Sequence, residues 1–254
     1  MKVIAVQSGS NGNCIYVQSG DVSLVFDAGL PGRHAHQRLA RHGVDITAAA
    51  GLLISHDHSD HVRCAGVFHR MFHLPLHMTA RTWEASQRHA LGPIDDVRPF
   101  EAGSSIRFAG LTVETIPTPH DAADGVAFVV DDGRRRVGIL TDLGHVFAGL
   151  ANVIASLDAV VLESNYDPAM LDGGSYPEFL KQRIRGPRGH ISNIEAAELL
   201  RRSAGPRLKW ACLAHLSQDN NHPYLALQTH RDVLGDTLPL HLASRYEATG
   251  VLEV

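Results

Sequence analysis

The stretch Ser55-His56-Asp57-His58-Ser59-Asp60-His61 sets histidine and aspartate in a His-x-His-x-Asp-His spacing, directly after the apolar run Gly51-Leu52-Leu53-Ile54. Imidazole and carboxylate at this density are ligands for a divalent cation, and an apolar run that ends in them reads as a buried strand delivering ligands into a loop. In an extended or tightly turned segment His56 and His58 project to one side and can hold one ion, while Asp60 and His61 are thrown past it toward a second. A lone structural zinc calls for four ligands, no open position and, typically, thiolates, none of which stands here. The spacing therefore predicts a pair of metals. A solvated loop is the competing reading in a chain with 17 histidines, and the strand-then-ligand order argues against it. Histidines such as His34, His69, His77 and His230 stand outside any motif and receive no role.

The same order recurs downstream. The strand Leu111–Ile116 stops at Pro117-Thr118-Pro119-His120, where the two prolines fix an extended, non-helical approach to His120. Arg135–Leu140 runs into Thr141-Asp142-Leu143-Gly144, Leu157–Leu162 into Glu163, and Leu208–Ala214 into His215. His190 is placed differently. It lies in the basic loop Gly186-Pro187-Arg188-Gly189-His190, ahead of a capping box formed by Ser192 and Glu195, with Ile191 able to staple onto Ala196. That sets it beside a helix N-terminus, where backbone N–H groups favour anions. His190 and His215 have similar neighbours, but His215 ends an apolar strand as His56 and Asp142 do. His215 is therefore assigned to metal and His190 to substrate.

The elements that must hold these residues alternate between strand and helix. Short strands are expected at Met1–Val6, Cys14–Val17 and Val22–Asp27, a helix over His34–His42, and a strand through Ile54. A helix follows His61, then a strand at Leu74–Met78 and a helix at Ala80–Arg88. Hairpins are expected across Ala109-Gly110 and Asp131-Asp132-Gly133. Helices over Tyr176–Arg185 and Tyr224–Leu234 and last strands at Leu238–Leu242 and Val251–Val254 complete a layered α/β chain. Three widely spaced cysteines with no Cys-x-x-Cys pairing fit a reducing cytoplasm, and no run reaches the ~20 apolar residues of a membrane span. The short apolar start is not a signal peptide. With 254 residues, 44% hydrophobic and 20% charged, the chain is expected to form one ordinary globular domain over 1–254.

Taken together, the heptad and the downstream ligands resemble the signature of the metallo-β-lactamase superfamily of dinuclear metallohydrolases. Within it the chain resembles the YycJ/WalJ-like branch, nucleases related to the tRNA-processing and RNase J-type phosphodiesterases. The resemblance runs from Asp27 to His215 and implies a four-layer αβ/βα sandwich with the ligands on loops along one edge. It implies that His56, His58 and His120 hold one metal, that Asp60, His61 and His215 hold the second, and that Asp142 bridges them. Asp27 is implied to brace the metal loop from beneath, as carboxylates near metals orient ligands. Two ions acidify a bridging water and clamp the attacking and leaving oxygens of an in-line displacement. The resemblance implies that Asp60 orients that nucleophile and that His190 contacts the scissile phosphate or protonates the leaving oxygen; Glu163 is the candidate carboxylate to orient His190. Zinc, manganese and iron all suit imidazole and carboxylate ligands. The stretch between Asp142 and His215 is too short for the large inserted domain of the RNase J-like enzymes.

Nucleic acid is the substrate this resemblance implies, with DNA exonuclease activity the specific expectation. A net charge of -4 argues against indiscriminate nucleic-acid binding. Charge is local instead: Lys181, Arg183, Arg185 and Arg188 flank His190 without an acidic residue among them, and with Ser192 they form the expected substrate side. Arg134-Arg135-Arg136 reads as a solvated face. Two other classes compete. The same site geometry allows a small-molecule esterase, lactonase or thioesterase, which an aromatic content of only 6% slightly favours because it offers no evident base-stacking platform. A metal-stabilised binding module without catalysis is disfavoured because no ligand position is degraded. Nothing in the sequence names a protein partner.

Overall fold

The computed structural model describes residues 1–254. Two seven-stranded sheets face each other. In the first, β1 (Lys2–Gln7), β2 (Cys14–Ser19) and β3 (Val22–Phe26) pair antiparallel, and β4 (Leu52–Leu53), β5 (Leu76–Thr79) and β6 (Val97–Phe100) continue in parallel. In the second, β7 (Ser105–Phe108), β8 (Leu111–Pro117), β9 (Val126–Asp131) and β10 (Arg136–Leu140) pair antiparallel. Then β11 (Ala159–Glu163), β12 (Trp210–Ala214) and β13 (Leu240–Leu242) continue in parallel. The last strand, β14 (Leu252–Glu253), returns to pair antiparallel with β1. The two sheets thus share one pairing pattern, a repeat that the side chains do not advertise.

The space between the sheets is filled by 21 buried residues, among them Val3, Phe26, Phe128, Val161 and Trp210. Phe26 of the first sheet and Phe128 of the second meet with ring centroids 5.1 Å apart, tilted by 54°, a pairing that adds about 0.5–1.5 kcal/mol to the area they bury. Helices cover the outer faces. On the first sheet α1 (Gly32–Ala40) and α3 (Ala65–Phe72) bury Ala35, Leu39, Phe68 and Phe72. On the second, α5 (Leu150–Ala155) and α8 (Asn193–Ser203) bury Ile154, Ala196 and Leu200. The result is the expected four-layer αβ/βα sandwich. No helix is long and apolar enough to cross a membrane.

Local chemistry explains most boundaries. Ser192 accepts from Glu195 N while the Glu195 carboxylate accepts from Ser192 N, so the expected capping box starts α8. Elsewhere the expectation needed correction. The strand leading to the metal loop shrinks to two residues, preceded by a 3-10 turn at Ile46–Ala48 that Asp45 caps. His61 lies inside a one-turn helix, α2 (Ser59–Val62), rather than opening a longer one. Short helices α4 (Ala80–Ser86) and α6 (Pro168–Gly173) frame the connections, and α9 (Pro223–Leu234) starts on the ring of His222, whose Nδ1 accepts from Tyr224 N. The basic helix α7 (Glu178–Arg185) starts after Pro177 and buries none of its residues.

Candidate dinuclear metal centre

The candidate ligands His56, His120, Asp142 and His215 follow strand ends at one edge of the sandwich, with Asp60 and His61 further on in α2. The backbone there is bent sharply: Asp27, Asp142 and His215 adopt φ of 63°, 56° and 56°, a left-handed conformation that non-glycine residues rarely hold unless their surroundings fix it. Past β4, Ser55 N and Ser55 Oγ donate to Asp27 Oδ1 at 2.8 and 2.9 Å. His61 Nδ1 donates to Asp27 Oδ2 at 2.7 Å. One buried carboxylate therefore fixes the start of the loop and the tautomer of His61, whose Nε2 must then face the cleft.

The other rings are aimed in the same way. His120 Nδ1 donates to Gly189 O at 2.8 Å, which leaves Nε2 for the cluster. His58 is the exception, donating from Nε2 to Asp121 O at 3.2 Å and offering Nδ1. His56 Nε2 and Asp142 Oδ2 are buried and make no hydrogen bond, an expensive condition unless something else occupies them. Four groups of facing donors result: His56, His58 and His120; His56, His61 and Asp142; Asp60, His61 and His215; and Asp142, Glu163, His190 and His215. Asp142 reaches the rings from both of its oxygens, with Oδ2 at 3.2 Å from His61 Nε2 and Oδ1 at 3.6 Å from both His120 Nε2 and His215 Nε2. Asp60 Oδ2 lies 3.5 Å from His61 Nε2 and 3.4 Å from His215 Nε2. Donors converging at these spacings match the ~3.4 Å edge of a tetrahedron with metal–ligand bonds of about 2.1 Å. The residues present fit a pair of divalent ions.

The electrostatics have the same source. Burial, together with the neighbouring His61 ring, holds His56 well below the usual imidazole range, so its lone pair is free. Burial also disfavours charge on Asp142, but the rings of His215 and His61 outweigh it and hold the carboxyl well below the usual range. Asp60 behaves alike through His61 and His215. His61 is pushed the other way: burial opposes its charge, yet the carboxylates of Asp142, Asp27 and Asp60 hold its pKa well above the ordinary value. Cations would take over that stabilisation from the proton, as ligation requires deprotonated rings.

His190 stands 2.6 Å from Glu163 Oε1 through Nδ1. Burial lowers its pKa, but Glu163 more than restores it. The other oxygen of Glu163 accepts from Leu143 N at 2.9 Å, so one fully buried carboxylate ties His190 to the residue after Asp142. A cleft of about 230 Å³ opens over Asp60, Asp142, His190 and His215. Of the basic residues expected on the substrate side, Arg183 lines this cleft, yet its Nε donates to Asp121 Oδ2 at 2.6 Å. Arg185 pairs with Asp172, and Lys181 donates to Asp172 O at 2.7 Å. The structure brings neither of them, nor Arg188, to the cleft lining. Ser192 is buried with its hydroxyl donating to Glu195, so it serves the helix cap and does not face the cleft.

Several positions carry no signal in the sequence yet hold the centre together. His215 N donates to Ser8 Oγ at 2.9 Å, Ser8 Oγ donates to Asn13 Oδ1 at 3.1 Å, and Asn13 Nδ2 lies 3.3 Å from Asp60 Oδ2. The β1–β2 turn thereby ties His215 of one half to Asp60 of the other. Asp57, inside the heptad, points away from the cleft, accepts from Ala123 N and pairs with Arg88. Asn165 bonds His215 O at 2.8 Å. A Gly-rich turn with Ser and Asn looks like any other turn, and only the long-range partners reveal its role.

Comparison with known proteins agrees with this architecture. A family model described as "Beta-lactamase superfamily domain" matches residues 23–212. The chain is 35% identical over 229 residues to an exodeoxyribonuclease YycJ of Bacillus anthracis, covering 89% of this chain and 86% of that one. It is 35% identical over 233 residues to an exodeoxyribonuclease WalJ of Streptococcus pneumoniae, covering 90% and 86%. Among solved structures it resembles the Zn(2+)-bound PqqB of Methylobacterium extorquens over 100% of both chains, with a TM-score of 0.76 at 16% identity, a likeness of fold.

Proposed function

The chain belongs to the β-lactamase superfamily, and from that membership and the geometry at the sheet edge we propose that it is a dinuclear metal-dependent phosphodiesterase that degrades DNA from an end. The observation that carries this reading is the placement of Asp142, its two oxygens shared between rings of both sheets and Oδ2 left without a hydrogen bond. Residues 1–254 act as one hydrolase domain. The relatives named exodeoxyribonucleases over most of their length support DNA as substrate.

In this reading His56, His58 and His120 would hold one cation and Asp60, His61 and His215 the other, with the carboxylate of Asp142 available to both. Zinc, manganese or iron suits the donor set. Bound there, two cations supply positive charge for the attacking and leaving oxygens and acidify water. The chain's own groups do the rest. Asp60, at the cleft floor, orients the nucleophile by accepting its proton. His190, fixed through Nδ1 by Glu163, presents Nε2 to the cleft and donates a proton to the leaving oxygen. Arg183 exchanges Asp121 for a substrate phosphate at the mouth. The cysteines are unpaired, and a reducing cytoplasm is the compartment this reading assigns.

The test is digestion of duplex DNA labelled separately at either end, with manganese or zinc added, by wild type, Asp60→Asn and His190→Ala. Labelled nucleotide released from one end by wild type and lost with Asp60→Asn is the expected result. Intact DNA and RNA with the fully metallated protein would overturn it in favour of an ester or lactone hydrolase.

A further inference from the structure

Beside the metal cleft lies a second cleft of about 410 Å³, and Ser217 lines both. Its residues all follow position 212, beyond the span that the family model matches. Leu216, Leu242 and Pro223 give it an apolar floor, and Gln218, Arg245 and Tyr246 stand at its wall. Arg245 is the ridge between the two clefts. Its Nη1 donates at 3.0 Å to the hydroxyl of Ser10, a residue of the metal cleft, and its Nη2 donates at 2.8 Å to Gln218 Oε1. Its stem lies over Gly9, where an added Cβ would come within 2.8 Å of Arg245 Cγ.

Tyr246 is the informative residue. Its backbone is pinned, with its N donating to Ser244 Oγ at 3.1 Å and its carbonyl accepting from Arg38. The residue is nevertheless 64% exposed. A phenol ring held on fixed backbone above an apolar floor presents a flat face to whatever enters, and loses little entropy in doing so. The volume falls in the range of about 300–1,000 Å³ found for small-ligand sites. It suits one nucleoside and excludes a duplex. Continuity with the metal cleft, a cation at the boundary and amide groups at the edge of an aromatic wall all match a base whose phosphate sits next door.

We propose that this second cleft receives the base and sugar of the deoxynucleotide adjoining the scissile phosphate, with the base against Tyr246 and Arg245 near the neighbouring phosphate. The inference rests on the reading of the metal cleft as a phosphodiesterase site. It makes the enzyme sensitive to the presence of a base at the DNA end.

The experiment is calorimetric titration of the metal-loaded full chain with deoxyadenosine 5′- and 3′-monophosphate and with the corresponding deoxyribose phosphates. At least one nucleotide should bind about 5- to 100-fold more tightly than its base-less counterpart, the range that stacking on one aromatic ring supplies. Tyr246→Ala should erase that ratio and Tyr246→Trp should restore it, which a merely structural role would not do. Equal binding of nucleotide and sugar phosphate, or an unchanged ratio in Tyr246→Ala, overturns the inference. End-labelled DNA digested in parallel separates the two readings. DNA cleaved without a base-dependent ratio leaves the phosphodiesterase and removes the base site. A Tyr246-dependent ratio with DNA left intact keeps the base site and removes the phosphodiesterase.

Discussion

In each sheet the fourth strand, where antiparallel pairing gives way to parallel, ends in the same way, and the two halves use that end differently. After β3 stands Asp27-Ala28-Gly29, and after β10 stands Asp142-Leu143-Gly144, with both aspartates in the left-handed region at φ 63° and 56°. Both glycines are points of close approach. A Cβ on Gly29 would come within 1.6 Å of Asp60 O, and one on Gly144 within 2.9 Å of Pro187 O and 3.1 Å of His120 N. In the first half the carboxylate is consumed by Ser55 and His61. In the second it keeps an oxygen without a hydrogen bond, facing the rings. One backbone device thus yields a carboxylate fully occupied by hydrogen bonds in one half, the proposed brace, and one with a free oxygen in the other, the proposed ligand. The distinction comes from neighbours: in the first half Ser55 and His61 donate to the aspartate, whereas in the second the nearby carboxylate Glu163 bonds Leu143 N and His190.

That contrast can be broken at Asp142 first. Asp142→Asn removes the shared ligand, so metal content should fall below two per chain and hydrolysis by at least about 1,000-fold, the equivalent of several kcal/mol of charge stabilisation. Elemental analysis of the purified variant beside its turnover checks both. The junction of the halves is next. Phe26→Ala and Phe128→Ala should each cost about 3–5 kcal/mol in denaturant unfolding, and unequal costs would show that one sheet relaxes into the cavity more readily than the other. Asp27→Asn should cost 10- to 100-fold in metal affinity, the usual effect of losing a carboxylate that orients a ligand. A loss as large as that of Asp142→Asn in metal titrations would erase the distinction between brace and ligand.

The smallest effect concerns two histidines outside the candidate metal site, one on each half. Burial lowers the pKa of His77 on β5 and His230 on α9 to about 4. An unfolded chain takes up these protons near pH 6.5 and the folded chain only near 4, so stability is full above about 6.5 and declines as pH falls toward 4. His230→Gln should flatten that decline by on the order of 2 kcal/mol, read as the difference between unfolding curves of variant and wild type at several pH values. An identical slope in both would remove His230 from the pH dependence.

Much of this arrangement was legible in the chain because the ligand-bearing residues share one local grammar, an apolar strand that stops at His or Asp. His56, His120, Asp142, Glu163 and His215 follow that grammar, and the fold brings them to one edge together with His58, Asp60, His61 and His190. His190 and His215, alike in their flanks, are distinguished by backbone: His215 takes the left-handed bend of the other strand ends, and His190 does not. What stayed hidden depends on partners distant in sequence. The basic run around Arg183 reads as free charge until Asp121 and Asp172 are found beside it. Ser8 and Asn13 read as turn formers until His215 and Asp60 are found against them. The two-residue β4 is too short for any periodicity, since its place is fixed by β3 and β5 on either side. Tyr246 and Arg245 lie in a loop whose only message is proximity.

The most direct test of the account is a titration of metal-free protein with manganese in the presence of end-labelled duplex DNA. Release of labelled mononucleotide from one end, rising to a plateau at two equivalents of metal and absent in Asp142→Asn, is the predicted result. DNA that remains intact at two bound equivalents, or cleavage that is complete at one and indifferent to Asp142, would contradict it.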